Sequence, residues 1–150
     1  MKLLATDMDG TFLRDDKSYN DEFNDLYKQM LKQGIQFVIA SGNQYEALVC
    51  KFDDDIKDDL YYLCENGTKI VYQGKTLYKK ALEKQDAQEV LDILKQDQEC
   101  MLVVSGDKHA YISKSFADKK DFISLFMKNV QFVESYDDIE DDILKFSIAS

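Results

Sequence analysis

The stretch LLATDMDGTFL, residues 3–13, joins an aliphatic run to two aspartates, Asp7 and Asp9, and then to a Gly-Thr pair. The aliphatic run predicts a short β-strand that is buried on both faces. If the chain stays extended through residue 9, the two-residue period of a strand points both carboxylates to the same side. Such carboxylates repel one another unless a cation or a proton lies between them, which favours Mg²⁺. The alternative is an ordinary strand-ending turn, since Asp and Gly are common in turns.

Helical and strand patterns alternate after this stretch. Apolar residues at helical spacing predict a helix that follows Asn20 and is capped by Gly34. The run IQFVIAS predicts a second strand, NQYEALVCKF a second helix, and LYYLCENG a third strand. The order β-α-β-α-β predicts an α/β fold with a parallel sheet and helices on its faces.

The pattern changes near residue 66, where a second module is expected to begin. The segment Gln73-Gly74-Lys75 predicts a hairpin between two short strands. A helix is predicted around residues 87–94, strands in CMLVVSG and HAYIS, a helix with Phe122, Leu125 and Phe126 on its apolar face, and a final strand in DDILKFSIAS. The second module therefore also mixes helices and strands.

Charge and composition exclude several classes of partner. Lys and Arg number 19 against 29 Asp and Glu, and the net charge of −10 repels a polyphosphate backbone. Three widely spaced cysteines without a CxxC pair are typical of reduced thiols in a cytosol. No apolar run reaches the ~20 residues that span a bilayer, and no signal-peptide pattern is present. We expect a cytoplasmic protein that binds neither nucleic acid nor a membrane.

A second candidate site segment, Ser41-Gly42, follows the second predicted strand. Parallel strands end on the same edge of a sheet, and ligands of open α/β sheets bind at that edge. The hydroxyl of Ser41 and the backbone N–H groups that open the next helix are therefore candidates for binding a phosphate. A helix N-cap is the alternative interpretation of the serine.

Three motifs together, DMDGT after the first strand, IASGN after the second and CENGTKIVYQGKTLY after the third, resemble the Cof-type branch of the haloacid dehalogenase-like phosphatases. The resemblance covers essentially the whole chain. It implies a Rossmann-like parallel-sheet core, incomplete here, over residues 1–80, and part of an inserted α/β cap domain over residues 81–150. It also implies Mg²⁺-dependent phosphoryl transfer from a small phosphorylated metabolite, with sugar phosphates as the default substrates.

The resemblance implies a role for each motif residue. Asp7 would be the nucleophile that becomes an aspartyl phosphate, and Asp9 the acid that protonates the leaving oxygen and then activates water. Asp7 and the main-chain carbonyl of Asp9 would hold the metal, while Ser41, Gly42 and the backbone at Met8 would bind the transferring phosphoryl group. The segment GTFLRDD resembles the loop-and-hairpin device that opens and closes the site in this family. An ordinary loop is the alternative for that segment.

The sequence departs from the family pattern in two respects. The family completes its site with a lysine and a GDxxND motif that follow the cap, and Gly106-Asp107, which continues KHAY, does not match that motif. Asn43 stands where many relatives have arginine. We therefore expect a fragment with weak or no turnover alone, whose open sheet edge invites self-association. A non-catalytic binding or interaction module is the alternative function.

Overall fold

A computed structural model describes residues 2–97 and 99–149 of the chain. The chain divides into two compact units, one ending at Lys79 and the other beginning at Lys80. Each unit builds its own sheet, of five strands in the first and four in the second, with helices beside it. The α/β class predicted from the sequence is confirmed. No helix in the described parts of the chain has the length and hydropathy needed to cross a membrane.

The sheet of the first unit consists of strands β1 (Lys2–Asp7), β2 (Ile35–Ala40), β3 (Tyr61–Cys64), β4 (Lys69–Tyr72) and β5 (Lys75–Lys79), with helices α1 (Phe23–Lys32) and α2 (Tyr45–Val49). The strands follow one another across the sheet in chain order. The β1–β2 and β2–β3 pairs are parallel, whereas β3–β4 and β4–β5 are antiparallel. The β-α-β-α-β prediction is thus confirmed.

The hairpin at residues 73 and 74 belongs to this first sheet. Gln73 and Gly74 both have positive φ, +51° and +69°, as the favoured two-residue hairpin turn requires. Because β4 pairs directly with β3, the expectation that a second module begins near residue 66 is wrong. The break between the two units falls after the hairpin, at residues 79 and 80.

An aromatic cluster joins α1 to β2 and forms the core of the first unit. Phe23 of α1 and Phe37 of β2 are both buried, with ring centroids 4.9 Å apart in an edge-to-face arrangement. Tyr27, also on α1, is fully buried, and its hydroxyl donates a 2.6 Å hydrogen bond to the carbonyl of Asp59. The helix ends at the predicted cap, where Gly34 has φ +72° and its N–H donates to the Leu31 carbonyl. These contacts hold α1, which connects β1 to β2, against the sheet.

Strand β1 forms as predicted, but the expectation that both its faces are buried is wrong. Leu3 is 62% exposed and Leu4 is 45% exposed. The reason is its position, because β1 is the edge strand of the sheet and pairs only with β2. In β2, which lies between two strands, Phe37, Val38 and Ile39 are all buried. The aliphatic run therefore predicted the strand correctly and its surroundings incorrectly.

The second unit contains helices α3 (Lys84–Leu94) and α4 (Lys120–Ile123) and strands β6 (Met101–Gly106), β7 (Ala110–Ser113), β8 (Val130–Val133) and β9 (Ile143–Ala149). The sheet order is β8-β7-β6-β9, in which β6 pairs antiparallel with β7 and β9, and β7 pairs parallel with β8. The predicted elements around residues 87–94, 101–106, 110–113 and 143–149 are confirmed.

Two details of the second unit differ from the sequence prediction. Helix α4 ends at Ile123, so Leu125 and Phe126 lie outside it and are 70% and 55% exposed. A short helix is stable mainly when it buries an apolar face, and the side chains of Leu125 and Phe126 bury little of their surface. Strand β8 was not predicted, and its residues VQFV alternate only in part between apolar and polar side chains.

We predict that Phe37→Ala lowers the free energy of unfolding of the first unit by about 3–5 kcal/mol, because it leaves a cavity among the aromatic rings. The matched control is Leu77→Ala on β5, whose side chain is 58% exposed and whose loss should change stability by less than about 0.5 kcal/mol. Urea unfolding is followed by labelling of the fully buried Cys64 thiol in a Cys50→Ser, Cys100→Ser background. Equal midpoints for Phe37→Ala and Leu77→Ala would contradict this description of the core.

Candidate active site

Two of the predicted site segments meet at one edge of the first sheet. The parallel register places Asp7 of β1 opposite Ala40 of β2, so that Ser41 directly follows the partner of Asp7. The N–H of Ser41 donates a 2.9 Å hydrogen bond to the carbonyl of Leu63, which extends the β2–β3 ladder by one step. The carboxyl ends of three parallel strands are thereby aligned, as the ligand edge of an open α/β sheet requires.

The chain turns immediately after Asp7, which corrects one step of the sequence argument. Strand β1 ends at Asp7, and Met8–Phe12 form a tight turn that is closed by a 2.9 Å hydrogen bond from the Leu13 N–H to the Met8 carbonyl. Gly10 has φ +72°, a conformation that favours glycine. The assumption of extended chain through residue 9 is therefore wrong, and strand alternation does not determine the direction of the Asp9 side chain. Met8, between the two acids, is fully buried and anchors the turn in the core.

The Asp9 carboxylate contacts side chains from two other segments. One oxygen accepts a 2.8 Å hydrogen bond from the ammonium group of Lys17, and the other accepts a 3.4 Å bond from the Asn43 side-chain amide. The hydrogen bond from Lys17 is the main reason that the pKa of Asp9 lies below the ordinary value for an aspartate. Partial burial opposes this shift, while the charges of Lys17 and Lys51 and the Asn43 bond add to it. Asp9 is thus held in its ionised form.

The loops after β2 and β3 interlock around Ser41 and Gly42. Ser41 Oγ accepts a 3.1 Å hydrogen bond from the Asn43 N–H, and the Ser41 carbonyl accepts one of 3.3 Å from the Asn66 N–H. A Cβ atom placed on Gly42 would lie 2.6 Å from Oδ1 of Asn66, closer than real contacts allow. Glycine at position 42 therefore lets the Asn66 side chain lie directly over the loop, and a larger residue would displace that side chain. Asn66, which borders this loop, has a positive φ of +59°.

The structure adds Lys17 to the residues that sequence analysis had singled out. It lies eight positions after Asp9 in an irregular loop, where no periodicity relates the two side chains. Asn43 had been noted only as a departure from the family pattern, and its amide contact with Asp9 was not expected. The only sequence signal for Lys17 was a cation that follows the two aspartates of the run RDDKS, a signal that surface loops commonly show.

A Mg²⁺ ion fits this edge of the sheet only if ligands other than the protein's side chains complete its coordination shell. Across residues 2–97 and 99–149, no group of three or more His, Cys, Asp or Glu side chains is placed to hold a metal. Mg²⁺ is commonly bound by one or two carboxylates, with water and substrate phosphate completing its shell. The exposed carboxylate of Asp7 and the main-chain carbonyl of Asp9 are compatible with that mode of binding.

Comparisons with known proteins agree with this geometry. Residues 4–150 match the haloacid dehalogenase-like hydrolase family. The chain is 37% identical over 150 residues to the 5-amino-6-(5-phospho-D-ribitylamino)uracil phosphatase YbjI of Escherichia coli (strain K12), a match that covers 99% of this chain and 55% of the relative.

Solved structures show the same relationship. A protein of Streptococcus mutans UA159 superposes with a TM-score of 0.86 at 28% identity, over 98% of this chain and 56% of that one. A haloacid dehalogenase-like hydrolase of B. subtilis superposes with a TM-score of 0.76 over 95% of this chain and 59% of that one, and at 18% identity it shows the fold alone.

An acidic turn and a serine loop at the carboxyl ends of neighbouring parallel strands form the ligand-binding edge of an open α/β sheet. The chain belongs to the haloacid dehalogenase-like hydrolase family, and the resemblance inferred from the three strand-end motifs is confirmed. The chain spans about half the length of the relatives that it matches.

We predict that Lys17→Met raises the pKa of Asp9 toward the ordinary aspartate value, because it removes the main group that stabilises the carboxylate. The wild-type pair persists above the lowered pKa of Asp9 and is lost as the pH falls through it. The measurement is an NMR titration of the Asp9 carboxyl carbon in metal-free buffer. Lys28→Met, which removes an equal charge from the separate pair with Asp55, is the control. The same Asp9 titration in wild type and Lys17→Met would disprove the role assigned to this pair.

Proposed function

We propose that the chain carries the phosphoryl-transfer half of a Mg²⁺-dependent phosphatase that hydrolyses small phosphorylated metabolites through an aspartyl phosphate. The observation that carries this proposal is the β1–β2 register, which pairs the exposed Asp7 with Ala40, the residue directly before the Ser41-Gly42 loop. Membership of the haloacid dehalogenase-like hydrolases supports it.

In this proposal, Asp7 attacks the phosphorus atom and Asp9 handles the protons. An oxygen of Asp7 forms a bond to phosphorus while the bond to the leaving oxygen breaks, and that oxygen takes a proton from Asp9. Water then attacks the phosphorus of the aspartyl phosphate and gives a proton back to Asp9, while the bond between phosphorus and the Asp7 oxygen breaks. This step releases phosphate and restores the Asp7 carboxylate. Since Asp9 is held ionised by Lys17 in the free protein, this pair has to open before Asp9 carries a proton.

The transferring phosphoryl group needs fixed donors and a counter-charge more than further reacting groups. Ser41 Oγ accepts a hydrogen bond from the Asn43 N–H, so that its own O–H can donate to a phosphoryl oxygen. The backbone N–H groups at Met8 and Gly42 are the other proposed donors. Mg²⁺, held by Asp7 and the Asp9 carbonyl, would neutralise charge on the phosphoryl oxygens.

The substrate class rests on the relative and on the family resemblance. The E. coli relative is a phosphatase for a phosphorylated ribitylaminouracil. We propose a phosphate monoester of a small metabolite for this chain, with sugar phosphates as the default. A cytoplasmic location is consistent with the three cysteines, Cys50, Cys64 and Cys100, all of which are free thiols.

We predict slow Mg²⁺-dependent hydrolysis of an aryl phosphate by this chain, together with phosphorylation of Asp7 by acetyl phosphate, detected by intact mass. Asp7→Asn should abolish both reactions because the nucleophile is lost. Asp9→Asn should slow hydrolysis by at least about a hundredfold, the ordinary contribution of a general acid and base. Asp21→Asn, at an exposed loop position, is the control that should retain both reactions.

Two results would contradict the proposed phosphatase activity. Hydrolysis that survives Asp7→Asn would show that Asp7 is not the nucleophile. Phosphate binding without hydrolysis or phosphorylation would instead favour the non-catalytic binding module.

We also propose that the edge of β1 pairs with a second copy of the chain. Alternate backbone groups of an edge strand face away from its single neighbour, and an identical strand supplies complementary donors and acceptors. The other edge strand, β5, has Lys75 and Lys79 at its ends, and lysines commonly protect such edges. Both edge strands expose apolar side chains, Leu3 and Leu4 on β1 and Leu77 and Tyr78 on β5. Because β1 carries one lysine, Lys2, where β5 carries two, β1 is the less protected edge.

We predict that the average mass in sedimentation velocity rises with concentration and that Leu3→Lys returns the protein to a monomer. The added charge discourages strand pairing, and Leu3 is 62% exposed, so the fold tolerates the change. Leu77→Lys on β5, at a side chain that is 58% exposed, is the matched control and should associate like wild type. A wild-type chain that stays monomeric at all concentrations would rule out pairing through β1.

A further inference from the structure

Lys17 is held at the proposed site by a well-defined turn. The Arg14 N–H donates to the Ser18 carbonyl at 2.8 Å, and the Lys17 N–H donates to the Arg14 carbonyl at 2.9 Å. Asp16 Oδ1 accepts hydrogen bonds from both the N–H and the hydroxyl of Ser18, at 2.9 Å and 2.6 Å. These bonds close the loop and direct Lys17 back to Asp9, eight residues earlier.

The backbone of Lys17 adopts a conformation that a lysine rarely takes. Its φ is +65°, in the left-handed region, which costs a residue with a side chain roughly 1–2 kcal/mol. An exposed ion pair contributes about 0–1 kcal/mol to stability, and the side chains of Lys17 and Asp9 are 61% and 50% exposed. The ion pair alone therefore does not offset the free-energy cost of this backbone conformation.

The charges around Asp9 also point to an additional anion. Asp9 has a direct contact with Lys17 and a contact with the Asn43 amide, and it lies within the field of Lys51. When Asp9 takes up the proton that it later gives to the leaving oxygen, Lys17 loses the negative charge with which it pairs in the free protein. A phosphate monoester brings about two negative charges at neutral pH. With Asp7 ionised and Asp9 protonated for its role as the acid, one Mg²⁺ together with Lys17 would balance the three negative charges of Asp7 and the phosphate.

We propose that Lys17 is a phosphoryl-binding residue, whose ammonium group pairs with Asp9 in the free protein and moves to a phosphoryl oxygen when substrate binds. This inference rests on the proposed function, and it adds a residue that the strand-end motifs do not contain. Lysine suits the role because its ammonium group is a compact charge on a flexible stem of four carbons. The exposure of Lys17 leaves that stem free to move while the turn stays closed.

The test measures inorganic phosphate binding by isothermal titration calorimetry at fixed Mg²⁺ and constant ionic strength. Lys17→Met should weaken binding about tenfold, the loss expected for one charge-assisted hydrogen bond. K17R, which keeps the charge and donors, should remain within about threefold of wild type. Lys28→Met, which removes an equal charge from the separate ion pair with Asp55, should bind phosphate like wild type.

A second set of variants separates direct contact from an effect transmitted through Asp9. If Lys17 touches the phosphate, Lys17→Met also weakens binding in an Asp9→Asn background. If Lys17 only positions Asp9, its effect disappears in that background, which would overturn the proposal. Equal affinity of wild type and Lys17→Met would overturn it as well.

The proposed function fails in a different way. Ser41→Ala should weaken phosphate binding if the anion occupies the predicted loop. Wild-type protein that binds no phosphate, or binds it equally well without the Ser41 hydroxyl, would refute the site itself and the role of Lys17 with it. Loss of affinity with Ser41→Ala but not with Lys17→Met would leave the proposed site in place and refute only the inference about Lys17.

Discussion

The parallel register between β1 and β2 is the constraint on which the site depends. Parallel pairing aligns the carboxyl ends of neighbouring strands, so the loops that follow them are placed side by side, and the Asn43 amide can reach the Asp9 carboxylate. The pairing of Asp7 with Ala40 sets the position of the acidic turn relative to Ser41. The hydrogen bond from Ser41 to Leu63 then ties the same loop to β3. A shift of one residue would move Asp7 to the other face of the sheet relative to Ser41.

The support beneath this edge comes from one aromatic layer. Phe23, Tyr27 and Phe37 pack α1 against β2, and the fully buried Met8 extends the same core to the acidic turn. The turn that carries Asp9 is thus anchored from inside the protein, although Asp9 itself faces solvent. This arrangement combines a fixed backbone with a charged side chain that remains free to exchange partners.

Sequence patterns predicted the first unit closely because its elements are defined by local signals. The cap at Gly34 and the turn at Gln73-Gly74 require particular backbone conformations, and those are visible in residue types. The exposure of Leu3 and the short length of α4 were not predictable in this way, since both depend on what packs beside them. Lys17 was missed for a related reason, because its contact with Asp9 crosses an irregular loop that no periodic pattern describes.

By itself the sequence determined the α/β class, the succession of strands and helices in the first unit, and the two motifs that lie at the carboxyl ends of β1 and β2. These follow from hydrophobic periodicity and turn chemistry, which act over a few residues. The tertiary structure alone decided that Asp9 pairs with Lys17, that Asn66 covers Gly42, and that β1 is an exposed edge. Those outcomes depend on strand order and on the paths of loops between distant segments, because a side chain's partners are set by what folds against it.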